Sequence, residues 1–289
     1  MYYIFDGIAS MIAGYLFVFN NYLPIFICLG LAIVATVISI MFQDVYEIKK
    51  YNQESMKTTE LLKQYHRDLK VSFKFILRSN RMKALSLFAI VFYSTVKIVD
   101  VYRSDLLVEI GIPEQQFSMI FAMLTLIGGF AVTLKKPIEK RFKNRTLSFI
   151  SLMYIGACLI VGFTTTLLYG KQIIIPIVLM MYAMQKVSTS IWWVLESKYT
   201  KSFTKENTRG KITFAYEFIQ CIAASIFSAL AGFLLKVVTI EKSFVIIGLV
   251  SFICMLYVLE YMRTRFGLKP KEYTKQDLEF EPLESNETH

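Results

Sequence analysis

A lysine and a glutamine lie side by side in the middle of a long apolar stretch of this sequence. Gln185 and Lys186 are flanked by MMYAM on one side and by VSTSIWWVL on the other. A charged side chain at the centre of a hydrocarbon layer costs at least about 2.5 kcal/mol, and Lys186 lies too far from either end of the stretch to reach water. Lys186 is therefore predicted to face the protein interior, where it can bind an anionic group or pair with a carboxylate.

Three further charges follow one another at spacing three near the end of an earlier apolar stretch. Lys97, Asp100 and Arg103 fall within about one and a half to two helical turns, so neighbours among them can form ion pairs. One interpretation is a charged face that lines a water-filled path. The other is that the apolar helix ends early and that these charges lie in the outer headgroup layer. Both interpretations stay open at this point.

A carboxylate and an amide mark the start of a later apolar stretch. Glu217 and Gln220 lie one to two turns inside it, where Glu217 can take up a proton, pair with a basic residue or lie at the membrane interface. Trp192 and Trp193 lie near the end of the stretch that holds Lys186. Tryptophans at such a position are either interfacial anchors or aromatic contacts for a substrate.

Several kinds of chemistry lack the residues that they need. The chain has only 4 cysteines and 2 histidines in 289 residues, and its cysteines are far apart within apolar stretches. No metal ligand set is therefore predicted. There is no HExxH run and no GxxxxGK[ST] phosphate loop, which argues against a zinc hydrolase and against ATP hydrolysis by this chain. We expect no enzyme activity and no cofactor.

The elements that must position these residues are apolar runs long enough to cross a membrane. A spanning helix needs about 20 mostly apolar residues, and the runs are near-continuous rather than alternating, which favours helices over barrel strands. The predicted fold class is an all-α membrane protein with about eight transmembrane helices. The predicted spans are Ile4–Phe19, Tyr22–Phe42, Ala84–Val101, Phe117–Leu134, Ser148–Tyr169, Ile173–Leu195, Ile212–Leu235 and Ser243–Tyr261.

Basic residues are concentrated in alternate connections between these runs. The net charge is +10, and of the 32 Lys and Arg residues, ten lie in 43–83, six in 135–147, five in 196–211 and five after the last span. The opposite side holds four, among which Arg103 is counted. The positive-inside rule then places both termini in the cytoplasm of a multi-pass protein of the cell membrane. This distribution favours the lipid bilayer over nucleic acid as the partner of the basic residues.

The spans and the long connection divide the chain into four parts. Residues 1–42 hold two spans, 43–83 a cytoplasmic linker, 84–262 six spans and 263–289 a cytoplasmic tail. Within the linker Leu62, Tyr65, Leu69, Phe73 and Ile76 recur at helical spacing between charged residues, which predicts an amphipathic helix. We expect this helix to lie on the inner membrane surface.

Small residues at spacing four predict places where spanning helices approach each other closely. Such runs are Ala224, Ser228 and Gly232 in the seventh predicted span, and Ser10 with Gly14 in the first. They are compatible with a packed bundle of many helices. Small residues are also common in spanning helices that form no such contact.

Four stretches carry a family resemblance: GIASMIAGYLF at 7–17, NYLPIFICLGLAIVATVISIMF at 21–42, GIPEQQFSMIFAMLTLIGGF at 111–130 and KKPIEKRFKNRTL at 135–147. Together with the six spans after a long basic loop, they make the chain resemble spans five to twelve of a major facilitator superfamily transporter. In its overall sequence character the chain resembles a bacterial drug exporter. The resemblance implies a partial major facilitator fold that lacks the first four spans.

The resemblance also implies where a substrate would bind. In the family fold the first, fourth, seventh and tenth helices line a central cavity, which puts Lys97 and Asp100 on the seventh and Lys186 on the tenth. The candidate residues of the substrate or ion pathway are Lys97, Asp100, Arg103, Gln185, Lys186, Trp193, Glu217 and Gln220.

Two hypotheses about function follow. The first is a secondary active transporter of the major facilitator type, in which an ion gradient drives the export of a small molecule, with an incomplete or inactive fragment as a variant of it. The second is a non-transporting membrane scaffold or remnant with eight spans. The sequence names neither the substrate nor the coupling ion.

Overall fold

The computed structural model describes residues 2–20, 22–41, 58–142, 145–204 and 208–266, and these ranges are helical with no β-strand. The α-helices within them are α1 (Tyr2–Phe19), α2 (Leu23–Met41), α3 (Thr58–Arg78), α4 (Asn80–Glu109), α5 (Phe117–Ala131), α6 (Lys135–Phe142), α7 (Thr146–Leu167), α8 (Ile174–Phe203), α9 (Arg209–Leu234) and α10 (Ile240–Phe266). The first part of the predicted linker and nearly all of the predicted tail lie outside the described residues.

Six helical stretches of the described ranges are long and apolar enough to cross a membrane. They are α4, the stretch Glu114–Phe142 that includes α5 and α6, and the helices α7 to α10. A shorter apolar stretch, Leu23–Ile38, lies in α2. The all-helical membrane architecture is confirmed, whereas the count of eight spans stays a prediction that depends on α1 and α2.

The two longest helices continue well past the ends that hydropathy predicts. α4 ends at Glu109 rather than at Val101, and α8 ends at Phe203 rather than at Leu195. Main-chain hydrogen bonds do not depend on side-chain polarity, so a helix can leave the apolar layer and continue into water. Asp100 therefore lies nine residues, about 13 Å along the axis, before the end of α4.

Aromatic side chains fill the centre of the helix bundle. Trp192 of α8 lies between Phe88 and Phe92 of α4, with ring centroids 4.9 and 5.5 Å apart, and Phe92 meets Tyr154 of α7 at 5.3 Å. Trp192 is 1% exposed, so it is a core residue and the prediction of an interfacial anchor is wrong for it. These contacts fix α4, α7 and α8 against one another by close packing, which is the main association force where lipid competes for apolar surface.

Close helix contacts occur at two glycines that the spacing of small residues does not select. A Cβ atom at Gly162 of α7 would lie 2.7 Å from the backbone nitrogen of Val245 in α10, and one at Gly128 of α5 would lie 2.5 Å from Ser190 Oγ in α8. Gly232 of the predicted small-residue run has no neighbour within 4 Å of such a Cβ atom. Helix approach at Gly232 was therefore a wrong expectation, because small size permits a contact but does not specify a partner.

The amphipathic helix α3 packs on protein. Its Asp68 forms an ion pair of 2.7 Å with Lys211 of α9, its Phe73 ring lies 6.2 Å from the ring of Phe218, and its Ile76 is buried. A single residue, Ser79, separates α3 from α4 and caps α4 through a hydrogen bond from the Met82 amide at 3.4 Å. At least part of the apolar face of α3 thus contacts α4 and α9.

Basic residues gather at one end of the bundle, where α6, the end of α8 and the start of α9 meet. We call this the basic end and define it by Lys135, Lys136, Lys198, Lys201, Arg209 and Lys211. Lys198 of α8 forms a 2.8 Å ion pair with Glu139 of α6, which ties the two helices together there. At the opposite end Tyr169 donates a 2.8 Å hydrogen bond to Glu109, and this bond raises the pKa of the Tyr169 hydroxyl.

Candidate functional site

Polar residues follow one face of α8 from its middle to the basic end. Tyr182, Gln185, Thr189, Glu196 and Thr200 recur at spacings of three, four or seven, which places them on one side of a helix. All five are buried, with exposures of 8% or less. A stripe of this kind inside an apolar helix faces other helices or a water-filled space, because lipid contact would leave its polar groups unsatisfied.

A cavity of about 440 Å³ lies between α4, α8 and α9 and extends to the basic end. Its wall includes Tyr93 of α4, Trp193 and Glu196 of α8, and Glu217 and Gln220 of α9. Lys201 and Arg209 also contribute to the wall, nearer the ends of α8 and α9. This α8–α9 cavity has the volume of a site for a small organic molecule.

The carboxylate of Glu196 is held by two neutral donors from α9. The Tyr216 hydroxyl and the Gln220 amide nitrogen both donate to Glu196 Oε1, each at 2.8 Å. Glu196 is 8% exposed and lies seven residues, about 10 Å, before the end of α8. The two bonds orient the carboxyl group of Glu196 and link α8 to α9.

Aromatic rings form the wall of the cavity on the side of α4. Tyr93 meets Trp193 edge to face with centroids 5.7 Å apart, and the Lys97 ammonium lies 5.2 Å from the Tyr93 ring centroid. Trp193 is 43% exposed, unlike the neighbouring Trp192. Consecutive residues of a helix point about 100° apart, so one tryptophan lies in the core and the next faces the cavity.

A second polar cluster lies farther from the basic end, between α4, α7 and α8. Arg103 forms a 2.9 Å ion pair with Asp100, and its guanidinium carbon lies 5.0 Å from the ring centroid of Tyr182. In the described part of the chain, the hydroxyls of Tyr154 and Tyr182 and both amide atoms of Gln185 have no hydrogen-bond partner. Tyr182 and Glu196 are fourteen residues apart on α8, about 21 Å, so this cluster is separate from the α8–α9 cavity.

The family model of the Major Facilitator Superfamily matches residues 2–228 and, in a second alignment, residues 104–282. The chain belongs to the major facilitator superfamily. No curated protein and no solved structure matches it. Superfamily membership makes the chain a multi-pass membrane protein of the facilitator transporter type, which agrees with the expectation that it is not an enzyme.

The facilitator chain brings three of the candidate residues into one site and distributes the others. Trp193, Glu217 and Gln220 line the α8–α9 cavity, and Lys97 lies next to its Tyr93 wall. Asp100 and Arg103 belong to the second polar cluster, and Gln185 lies about one helical turn from its Tyr182 on α8. Lys186 packs toward α5, since its Cγ atom lies 3.1 Å from where a Cβ atom at Gly128 would be. The roles of all eight residues stay predictions.

The structure places Arg103 in a helix, whereas the charge count placed it in a connection between helices. It was assigned to an outer loop, but it lies inside α4, is 9% exposed and pairs with Asp100. The helix continues six residues beyond Arg103, so it does not end before these charges, and their location in the outer headgroup layer or along a water-filled path stays a prediction.

Sequence reasoning missed Glu196, Tyr216 and Tyr93 in this site, although it did select Gln220. Glu196 follows the predicted span directly and was counted with the loop, while Tyr93 and Tyr216 read as ordinary aromatic residues of spans. The signal that could have found Glu196 is its spacing of seven from Thr189, which continues the polar face of α8. Within the described ranges no group of three or more His, Cys, Asp or Glu side chains could hold a metal ion.

Proposed function

We propose that the chain is a secondary active transporter in which an ion gradient drives export of a small molecule across the cell membrane. The observation that carries the proposal is the α8–α9 cavity, which places two carboxylates and two aromatic rings between three membrane-spanning helices. A carboxylate in such a place can exchange a proton as well as contact a solute. Membership of the superfamily supports transport as the activity.

The direction of transport and the drug-exporter-like subgroup belong to the same proposal. The wall of the cavity reaches the basic end at Lys201 and Arg209, and the positive-inside rule assigns that end to the cytoplasm, so a solute would enter the cavity from inside the cell. An exporter begins its cycle with such an inward-facing site. The resemblance to spans five to twelve supports the assignment of α8 to the helix that lines the central cavity of the family fold.

The test is transport by the purified chain reconstituted into liposomes. A radiolabelled panel of aromatic cations, amino acids, sugars and carboxylates is offered with an imposed proton or sodium gradient. We expect one chemical class to accumulate against its own gradient and to leak out when an ionophore collapses the ion gradient. Glu217→Gln should reduce the initial rate by about fivefold, because it removes one of the two carboxylates from the cavity. Glu260→Gln, an exposed position on α10, is the matched control.

The scaffold hypothesis predicts a different result in the same experiment. If the reconstituted wild-type chain keeps the melting temperature that it has in detergent and still accumulates no member of the panel under either gradient, transport by this chain is refuted. The non-transporting membrane scaffold then becomes the better description.

A further inference from the structure

We propose that the solute recognised by the α8–α9 cavity is a small organic cation with an aromatic or apolar body. The proposal rests on the proposed transport function and assigns a substrate class to the same site. Glu196 and Glu217 would face the cationic group, while Trp193 and Tyr93 would contact the body of the solute. A cavity of about 440 Å³ limits this solute to the size of a few fused rings.

The surroundings of Glu196 are the first argument. Its hydrogen-bond partners Tyr216 and Gln220 are neutral, and neither Glu196 nor Glu217 forms a salt bridge with any basic side chain that the structure describes. Both donors bind Oε1 of Glu196, and no other described side chain donates to its second oxygen. A buried carboxylate with this arrangement gains most from a cation that enters the cavity, because charge attraction is strong where water is scarce.

The aromatic wall is the second, independent argument. The rings of Tyr93 and Trp193 meet at an interplanar angle of 83°, so the edge of one ring points at the face of the other. The faces of aromatic rings attract cations within about 6 Å, as the Lys97 ammonium at 5.2 Å from the Tyr93 ring already illustrates. The remaining ring surface would contact an apolar solute body, and carboxylates alone would provide no such contact.

Two basic residues of the same wall make the sign of the solute's charge testable. Lys201 and Arg209 lie nearer the basic end than Glu196 and Glu217, and an anionic solute would bind to them instead. For a cation they are repulsive neighbours. Neutralising them must therefore strengthen the binding of a cation and weaken the binding of an anion, whereas neutralising the carboxylates must do the opposite.

The experiment is a fluorescence titration of the purified full chain in detergent with ethidium, a permanent aromatic cation. We expect saturable binding that a trimethylammonium derivative of naphthalene displaces and that naphthalene-2-sulfonate, with the same ring body, does not. Glu196→Gln should weaken ethidium binding by about tenfold or more, and Glu217→Gln by about threefold. Lys201→Gln and Arg209→Gln should tighten it.

Further variants separate recognition from folding. Trp193→Ala should weaken ethidium binding by about tenfold, whereas Trp193→Phe should restore most of it, because a phenylalanine ring still presents a face to the cation. Glu260→Gln should bind like the wild type. Each variant is compared by its melting temperature, and Glu217 and Trp193 are exposed enough that their replacement should not unfold the protein.

The outcomes are distinguishable from those of the transport test. Competition by the sulfonate with loss of binding in Lys201→Gln would overturn the cation assignment, and so would equal ethidium binding by Glu196→Gln and the wild type. Accumulation of a sugar or a carboxylate in liposomes would keep the transporter and refute this substrate class. Specific ethidium binding without any transport would keep the site and refute the function.

Discussion

Glu196 is the residue on which the candidate site depends most. Burial of the Glu196 carboxylate, which is 8% exposed, is energetically unfavourable, and the two hydrogen bonds from α9 offset that cost only in part. The remaining cost is what a bound cation or a proton can relieve. Hydropathy alone could not identify the residue, because a charge that directly follows an apolar run has the appearance of a loop charge.

Removal of one donor tests how firmly this carboxylate is held. Tyr216→Phe keeps the buried ring but leaves Glu196 Oε1 with Gln220 alone. A hydrogen bond to a charged group contributes about 1.5–3 kcal/mol, so we expect a melting temperature several degrees lower. We also expect a transport rate reduced by about tenfold, because the carboxylate is no longer oriented. Tyr257→Phe, at a position 76% exposed on α10, is the control and should change neither quantity. An identical effect of both substitutions would mean that the bond to Glu196 has no special weight.

The helices were predictable in type and order but not in length. Continuous apolar runs and the basic connections between them predict helices at the places where α4, α5 and α7 to α10 lie. The ends of α4 and α8 were placed too early, since hydropathy marks the apolar layer and not the end of the hydrogen-bonded helix. That error moved Glu196 out of its helix and left the polar face of α8 incomplete.

The sequence alone could not predict which glycines contact a neighbouring helix. Gly162 meets the backbone of α10, and Gly156 six residues earlier on the same helix has open space around it. Both are glycines in an apolar helix, and only the position of the neighbouring helix distinguishes them. A prediction from spacing therefore selected Gly232, which has no close neighbour.

These two glycines provide a matched test of the packing between α7 and α10. Gly162→Ala places a methyl group 2.7 Å from a backbone nitrogen, so one helix must shift. We expect a loss of about 1–3 kcal/mol of stability, measured as a lower melting temperature in detergent. Gly156→Ala should be neutral or slightly stabilising, because alanine favours the helical backbone. Equal melting temperatures for the two variants would contradict the packing described for these helices.

At the scale of the whole molecule, the orientation in the membrane decides which way the cavity opens. The charge distribution predicts that the basic end lies in the cytoplasm. Reporter fusions at Tyr51, Asn144, Asn207 and the C-terminus should therefore report a cytoplasmic location, and a fusion at Gly170, between α7 and α8, an external one. An external signal at any of the first four positions would break the proposed topology and reverse the direction of the cavity.

The central claim is that a solute crosses the membrane through the α8–α9 cavity under the force of an ion gradient. Its most direct test is uptake by inside-out membrane vesicles of the compound that wild-type protein accumulates best in liposomes. Respiration acidifies these vesicles, and their outer surface carries the basic end, so an exporter fills them. The account predicts accumulation by wild type and Glu260→Gln that an uncoupler abolishes, and less than about a tenth of it by Glu196→Gln at equal protein abundance. Undiminished accumulation by Glu196→Gln, or wild-type accumulation that the uncoupler leaves intact, would contradict it.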